Sequence, residues 1–167
     1  MDRTADAEQA KQSGGMIALW PDDKTKRNLV VPGGEPADDL HLTLVYLGED
    51  VSGLSSLGAQ AALDDLAMWT ERVEARAFAH ATFNPDGLYD PCAVYLIGNA
   101  PGLQDLQGEL SVEIGARYNI GEQHTPWIPH VTAGYGKTAA DLTYTGEVVF
   151  DRIALSWMGE EFSYPLS

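Results

Sequence analysis

The segment HLTLVYLG, residues 41–48, is predicted to form a β-strand with two chemically different faces. Successive side chains of a β-strand point to opposite faces, so residues two apart share a face. His41 and Thr43 therefore lie on one face of the predicted strand, and Leu42 and Leu44 lie on the other. The leucines predict burial against a core. An imidazole and a hydroxyl together on the opposite face indicate a site, provided that a partner exists elsewhere in the chain.

That partner is the segment PHVTAGYG, residues 129–136. Both segments contain the pattern His-x-Thr-x-x-Tyr, because His130 and Thr132 are followed by Tyr135 just as the first pair is followed by Tyr46. The two copies lie about half a chain apart on short apolar segments flanked by Gly, Pro or Asp. A single His-x-Thr is a weak signal, whereas two in matched surroundings indicate two related lobes that share one site.

The remaining two histidines lack this context. His80 begins a third His-x-Thr, but no tyrosine follows it at the same spacing and it has no partner half a chain away. We therefore expect an ordinary strand histidine at a wet surface. His124 lies in a polar loop, residues 119–129, and is expected to be solvated, with a role at the site entrance as the alternative.

The charge of the chain limits its binding partners. Among 167 residues, 25 are acidic and 10 are basic, which gives a net charge of −15. Binding to long nucleic acid depends on Lys and Arg neutralising many phosphates, so this composition disfavours it. A small nucleotide in a local pocket remains compatible with the composition. Cys92 is the sole cysteine, which excludes an intramolecular disulfide, fits a cytoplasmic location and predicts an inert thiol in the core.

The sequence predicts one domain and no membrane segment. Residues 1–15 are polar and end in Gly-Gly, which predicts a disordered lead-in without the apolar core of a signal peptide. Residues 16–167 are predicted to form a single bilobal domain, and we expect a monomer. No apolar run approaches the roughly 18 residues needed to span a bilayer.

Hydrophobic periodicity predicts an α+β fold in which runs of strands alternate with two helices. Residues 24–31 fit either a short helix or a strand. The predicted helices are 54–70 and 101–118, and the predicted strands are 16–20, 41–47, 73–83, 92–98, 130–135, 146–157 and 161–166.

The two motifs resemble those of the two-histidine (2H) phosphoesterase superfamily, also called the 2′-5′ RNA ligase or cyclic phosphodiesterase-like family. The resemblance covers roughly residues 16–166. The segments PGGEPADDLHLTLVYLG and WIPHVTAGYG are similar to versions from bacteriophages of actinobacteria, and the closing FDRIALSWMGEEFSYPL resembles the last strand pair of the family. The resemblance implies a bilobal, LigT-like fold. In such a fold, two antiparallel sheets with pseudo-two-fold symmetry and outer helices surround a central groove, and the motif strands face each other across it.

The chemistry of phosphodiester cleavage explains the paired motifs. A base must take a proton from the attacking oxygen, and an acid must give one to the departing oxygen. Histidine, with an ordinary pKa near 6.5, serves in either role. The threonine hydroxyls supply donors for the phosphate oxygens. We favour His130 as base and His41 as acid, roles that depend on how the substrate lies. No metal or other cofactor is expected, because the sequence lacks His-Glu-x-x-His and Cys/His clusters.

Four further residues are candidates for substrate binding, each with a structural role as its alternative. Trp127 precedes the second motif and Trp20 ends the first strand, so either ring could stack on a base. Lys137 could attract phosphate. Tyr135 is the fourth, although its odd offset from Thr132 predicts core packing on an unbroken strand, as for Tyr46. The sequence does not place an auxiliary Arg or Lys at the phosphate.

The residues and the resemblance together predict a metal-independent phosphodiesterase acting on small nucleotides. Candidate substrates are 2′,3′-cyclic phosphates, 2′-5′ oligonucleotides and cyclic di- or oligonucleotides. Viral relatives degrade cyclic-nucleotide immune signals. Because the net charge disfavours a processor of long RNA, an anti-CBASS-like role ranks first, in the host cytoplasm if the protein is viral. The alternatives are a catalytically idle nucleotide- or RNA-binding module and an RNA 2′-5′ ligase or end-processing enzyme.

Overall fold

A computed structural model of the chain describes residues 12–167. The predicted lead-in lies outside the described residues as far as residue 11, and Gly15 already belongs to the first strand. The α+β prediction is confirmed. The strands are β1 (Gly15–Pro21), β2 (Leu42–Gly48), β3 (Val73–Phe83), β4 (Cys92–Gly98), β5 (His130–Tyr135), β6 (Gly146–Trp157) and β7 (Glu160–Pro165), and the helices are α1 (Asp23–Leu29), α2 (Leu57–Trp69) and α3 (Leu103–Arg117). Single turns of 3-10 helix cover Ala37–Asp39 and Ala139–Asp141.

The segment that the sequence left open is helix α1. The carboxylate of Asp22 accepts a hydrogen bond of 2.7 Å from the backbone N–H of Thr25, which caps the first turn. Lys26 and Arg27 lie in the last turn, where the helix dipole favours positive charge. Capping and end charges therefore decide the conformation of a segment whose apolar pattern fits both states.

The strands form one antiparallel sheet in the order β2-β1-β6-β3-β4-β5, and β7 also pairs with β6. Strand β6 joins two halves, because its residues 150–157 pair with β1 and its residues 146–150 pair with β3. The two sheets that the resemblance implies are therefore two halves of this one sheet. Each half, or lobe, has four strands, β7-β6-β1-β2 and β6-β3-β4-β5, and β6 belongs to both. The motif strands β2 and β5 end the order, yet Cα atoms of the two lie within 8 Å of each other. The folding of the sheet therefore brings the motifs together.

The two faces of the sheet have different neighbours. Ile17 and Leu19 of β1 point into the main core, which also contains Leu63 of α2 and Ile114 of α3. The alternate β1 residues Ala18 and Trp20 form a separate small cluster with Ala154 and Met16. The helices therefore cover one face, and the opposite face carries the motif side chains. Within residues 12–167, no helix is long and apolar enough to cross a bilayer.

Candidate active site

The predicted division of the motif strands into two faces is present in both copies. His41, Thr43, His130 and Thr132 are half-buried, whereas the residues between and after them, such as Leu42 and Leu44, are fully buried. The buried residues hold each strand against the core. The histidines and threonines are thereby left on the face that the helices do not cover.

Both motif histidines make the same backbone contact. His41 Nδ1 lies 2.7 Å from the carbonyl oxygen of Asp39, and His130 Nδ1 lies 2.7 Å from that of Ile128. A carbonyl oxygen only accepts, so Nδ1 of each ring donates the proton. In the neutral imidazole, Nε2 then carries the lone pair. Each ring is consequently oriented to exchange protons through Nε2.

The surroundings of His130 favour its neutral form. Burial lowers the pKa of the His130 imidazole, the hydrogen bond to the Ile128 carbonyl opposes this, and the nearby charge of His124 lowers the pKa further. A ring that is neutral at pH 7 suits a general base. His124 is exposed, as its position in a polar loop predicts, and it lies close enough to His130 for its charge to affect that ring.

An aromatic ring flanks each motif histidine. The Trp20 and His41 ring centroids are 5.1 Å apart with planes tilted by 41°, and the Phe83 and His130 centroids are 4.9 Å apart in an edge contact. Each aromatic ring packs against its imidazole and so restricts the rotation of that side chain. The sequence did not indicate Phe83, because it ends an alternating strand that offers no local signal of function.

The structure places a positively charged side chain, Arg152, next to Trp20. No feature of the sequence indicated this neighbour. Arg152 of β6 is the cross-strand partner of Trp20, and its guanidinium carbon lies 5.5 Å from the centre of the Trp20 ring. Arg152 also donates a hydrogen bond of 3.3 Å to Glu161. The Trp20 side chain is 6% exposed, and its buried Nε1 finds no hydrogen-bond partner among the described residues. Trp20 thus connects Arg152 to His41.

The loop before the second motif covers the free edge of the first motif strand. Gln123 Oε1 accepts from the backbone N–H of Tyr46 at 3.0 Å, and Gln123 Nε2 donates to the Tyr46 carbonyl at 2.9 Å. Trp127 Nε1 donates to the Thr43 carbonyl at 3.3 Å, and its ring packs on the core. The predicted base-stacking residue Trp127 therefore contacts the other lobe.

The loop before the first motif covers β5 in the same way. The backbone N–H of Glu35 donates to the Ala133 carbonyl at 2.8 Å. A Cβ on Gly34 would collide with that carbonyl oxygen, and a Cβ on Gly134 would lie 2.9 Å from the Gly34 Cα. Each motif strand is therefore covered by the loop that precedes the other motif, and the glycines permit the close approach.

Both motif strands contain a β-bulge at the same position. In β2, Thr43 and Val45 are two residues apart, but they pair with adjacent residues of β1. In β5, Thr132 and Gly134 are likewise two residues apart and pair with adjacent residues of β4. A bulge adds one residue to its strand, so the alternation of faces is reversed beyond it.

The bulges correct the prediction for the tyrosines. Tyr46 and Tyr135 are 42% and 44% exposed, so the expected core packing is wrong. That prediction assumed unbroken strands, whereas in each copy two consecutive buried residues precede the tyrosine. Each tyrosine consequently lies on the side of its own histidine and threonine. Burial, and then the carboxylate of Glu49, raise the pKa of Tyr46, which keeps its phenol protonated at neutral pH.

The remaining residues that the sequence analysis considered have different surroundings. Lys137 extends along the loop before the first motif, so that a Cβ on Gly33 would be 3.5 Å from its Nζ. His80 occupies the opposite face of β3, where Nε2 lies 2.6 Å from the Tyr144 carbonyl. Cys92 is buried as predicted, with Sγ 3.7 Å from Thr132 Oγ1. Among residues 12–167, no group of three or more His, Cys, Asp or Glu side chains is arranged to hold a metal.

Comparison with known proteins identifies the fold. No family model and no curated protein matches the sequence. TT0787 of Thermus thermophilus is 21% identical with a TM-score of 0.65, covering 92% of this chain and 99% of that one. LigT of E. coli, complexed with 3′-AMP, is 17% identical with a TM-score of 0.59 over 93% and 95%. Usb1 of Kluyveromyces marxianus, with uridine monophosphate, is 9% identical with a TM-score of 0.54 over 94% and 99%. The whole described chain shares one fold with these proteins.

Proposed function

We propose that this chain, which has the fold of the LigT-like 2H phosphoesterases, is a metal-independent phosphodiesterase acting on small nucleotides. One observation carries the proposal. Both motif histidines are fixed through Nδ1 to the carbonyl two residues upstream, on strands that lie side by side. A pair of imidazoles preset in the same tautomer provides what a two-proton displacement needs.

The reaction assigns a separate role to each motif. Neutral His130 takes a proton through Nε2 from the attacking water or hydroxyl, whose oxygen forms a bond to phosphorus. The bond from phosphorus to the leaving ribose oxygen breaks as protonated His41 donates its Nε2 proton to that oxygen. Thr43 and Thr132 donate hydrogen bonds to the non-bridging oxygens, where negative charge increases. Proton exchange with water then restores both rings.

The composition and the structural neighbours support a small nucleotide as substrate. The neighbouring structures contain 3′-AMP in LigT and uridine monophosphate in Usb1. Ten basic residues against 25 acidic ones disfavour long RNA. The proposed substrates are cyclic di- or oligonucleotide signals, 2′-5′ oligonucleotides and 2′,3′-cyclic phosphates. Degradation of an immune signal by a viral, monomeric protein in the host cytoplasm is the biological role proposed first.

The four residues proposed to bind the nucleotide contribute in different ways, according to their positions in the structure. Trp20 contributes through its neighbours, because its ring is 6% exposed and contacts His41, and its cross-strand partner Arg152 supplies positive charge. Tyr135 lies on the motif side of β5. Trp127 contributes through the groove wall, since its N–H is bound to Thr43. Lys137 contributes by attracting the anionic substrate from beyond the end of β5.

A substrate panel tests the proposal. Purified protein with EDTA is incubated with 2′,3′-cyclic mononucleotides, 2′-5′ oligoadenylate and 2′,3′- and 3′,3′-linked cyclic dinucleotides. We expect turnover of at least one substrate, and His41→Asn and His130→Asn should each lower kcat by about 10²–10⁴-fold. The matched control is His80→Asn, since His80 belongs to a His-x-Thr on the opposite face and should not affect turnover.

Three results would contradict the proposal. They are the absence of turnover across the panel, turnover that EDTA abolishes, and full activity in either motif variant. An idle binding module would bind nucleotides equally well in the wild type and in both motif variants, without product formation.

A further inference from the structure

The repeated bulge gives each motif a third side chain. Because the bulge follows the threonine in both β2 and β5, the tyrosine three residues later returns to the side of the histidine. Each lobe therefore presents one imidazole, one hydroxyl and one phenol ring along a single strand. An accidental irregularity would not be expected at the same position in both copies. Bulges are common next to functional sites, where they change the direction in which a side chain points.

The tyrosine rings are partly exposed and their backbones are held in place. Tyr46 and Tyr135 are close to half exposed, unlike the fully buried residues just before them. The backbone of Tyr46 is held on both sides by Gln123, and β5 is held at Ala133 by Glu35. These contacts come from the opposite lobe in each case. They therefore fix the position of each tyrosine relative to the other motif.

The chemistry of tyrosine indicates what these positions bind. A phenol ring offers a flat apolar surface with only two side-chain torsions to immobilise, and nucleobases stack on such rings regardless of sequence. The two motifs are related by pseudo-symmetry about the phosphate that they are proposed to hold. A platform on each side of that phosphate matches a ligand with a base on each side.

We infer that Tyr46 and Tyr135 are specificity-determining residues and that the groove takes a phosphodiester with a nucleoside on both sides. The inference rests on the proposed function and deepens it. Linear and cyclic dinucleotides and 2′-5′ oligonucleotides have this structure. A 2′,3′-cyclic mononucleotide has one nucleoside and occupies only one platform.

The test compares two substrates across tyrosine variants. The two-sided probe is 2′-5′-linked ApA and the one-sided probe is adenosine 2′,3′-cyclic phosphate. Tyr46→Ala and Tyr135→Ala should each lower kcat/KM for ApA by about tenfold, in line with the loss of one base-stacking contact. Only one of the two variants should affect the cyclic mononucleotide. Tyr→Phe at either position keeps the ring and should stay within about threefold of the wild type.

Two controls separate folding from recognition. Tyr89 is an exposed tyrosine outside the motifs, so Tyr89→Ala should leave both substrates unaffected. Thermal unfolding of each variant should match the wild type, because the substituted rings are not in the core. Equilibrium binding of ApA to a His41→Asn/His130→Asn double variant gives a readout that does not need turnover.

The outcomes distinguish this inference from the proposed function. If the histidine variants abolish turnover while both Tyr→Ala variants retain full kcat/KM for ApA, the inference is wrong and the enzyme assignment stands. Equal kcat/KM for the two probes would also overturn it. If no substrate is turned over, the enzyme assignment fails. Weaker ApA binding in the Tyr→Ala variants would then still support the platforms, and unchanged binding would reject them as well.

Discussion

His41 and His130 make the same backbone contact in different surroundings. The common contact fixes which nitrogen of each ring carries the proton, so both rings present Nε2. Burial and the neighbouring charge of His124 both lower the pKa of His130. The His130 ring is thereby biased towards the neutral form that a general base requires at working pH.

The pH dependence of the reaction follows from this bias. Activity should rise with pH as His130 loses its proton, and the midpoint of the rise in kcat/KM should lie below the ordinary pKa of 6.5. His124→Gln removes a positive charge that lowers the pKa of His130, so the rising limb should move to higher pH. The measurement is a pH–rate profile of both proteins.

His80→Gln is the control for that profile, since His80 is bound to Tyr144 on the other face. A rising limb that stays in place in His124→Gln, or moves to lower pH, would contradict the assigned influence of His124. A rising limb that persists in His130→Asn would assign the base to another group.

At the scale of elements, the two crossing loops connect the lobes. The loop before each motif strand reaches over to the other motif strand and hydrogen-bonds its free edge. An exposed strand edge otherwise presents unpaired backbone groups. The same contacts thus cover the edges of β2 and β5 and set the distance between the motifs. This arrangement requires glycine at positions 34 and 134, because a side chain at either position would collide with the opposing backbone.

Gly34→Ala should therefore damage both stability and activity. The added Cβ would collide with the Ala133 carbonyl and displace the loop from β5. We expect the free energy of unfolding to fall by about 1–3 kcal/mol, as for overpacked sites, and kcat/KM to fall with it. Urea unfolding and steady-state kinetics measure the two effects.

Gly108→Ala is the matched control. Gly108 lies within α3, and a Cβ there would meet no atom within 4 Å. Alanine is the better helix former, so this variant should gain about 0.5–1 kcal/mol in unfolding free energy without a change in activity. A Gly34→Ala protein as stable and active as the wild type would contradict the close-approach argument.

At the scale of the whole molecule, charge and topology act together. A net charge of −15 opposes the approach of an anionic nucleotide, and the Debye length of about 8 Å at physiological salt leaves local charges to decide binding. Arg152 is such a local charge, and its guanidinium lies over Trp20 on the motif face because β6 pairs with β1. The shared strand thus brings a distant residue to the first motif.

Arg152→Gln should raise KM by about tenfold with a smaller change in kcat, because the variant removes a positive charge that attracts the anionic substrate. Thermal stability should change little, since the Arg152–Glu161 pair is partly exposed. Steady-state kinetics at two salt concentrations measure the effect. Glu161→Gln is the control, as it removes the carboxylate partner but keeps the cation. Equal rises in KM for both variants would indicate that the ion pair, rather than the cation, matters.

The α+β class, most of the strands and the two matching motifs could be predicted from the amino-acid sequence. The predicted strands 73–83, 92–98 and 130–135 coincide with β3, β4 and β5, and the resemblance to 2H phosphoesterases is confirmed at the level of the fold. These features depend on local periodicity. An alternation of two residues can be read from a short segment without knowledge of what the segment contacts.

The bulges, the crossing loops and the neighbours of each histidine could not be predicted in this way, because they depend on contacts between distant segments. The faces of Tyr46 and Tyr135 depend on register against β1 and β4, which residues within the motif do not encode. Phe83 and Arg152 join the motif face through strands that are distant in sequence. Such contacts form only when the whole sheet folds, because pairing register and burial are set by the partner strand rather than by the segment itself.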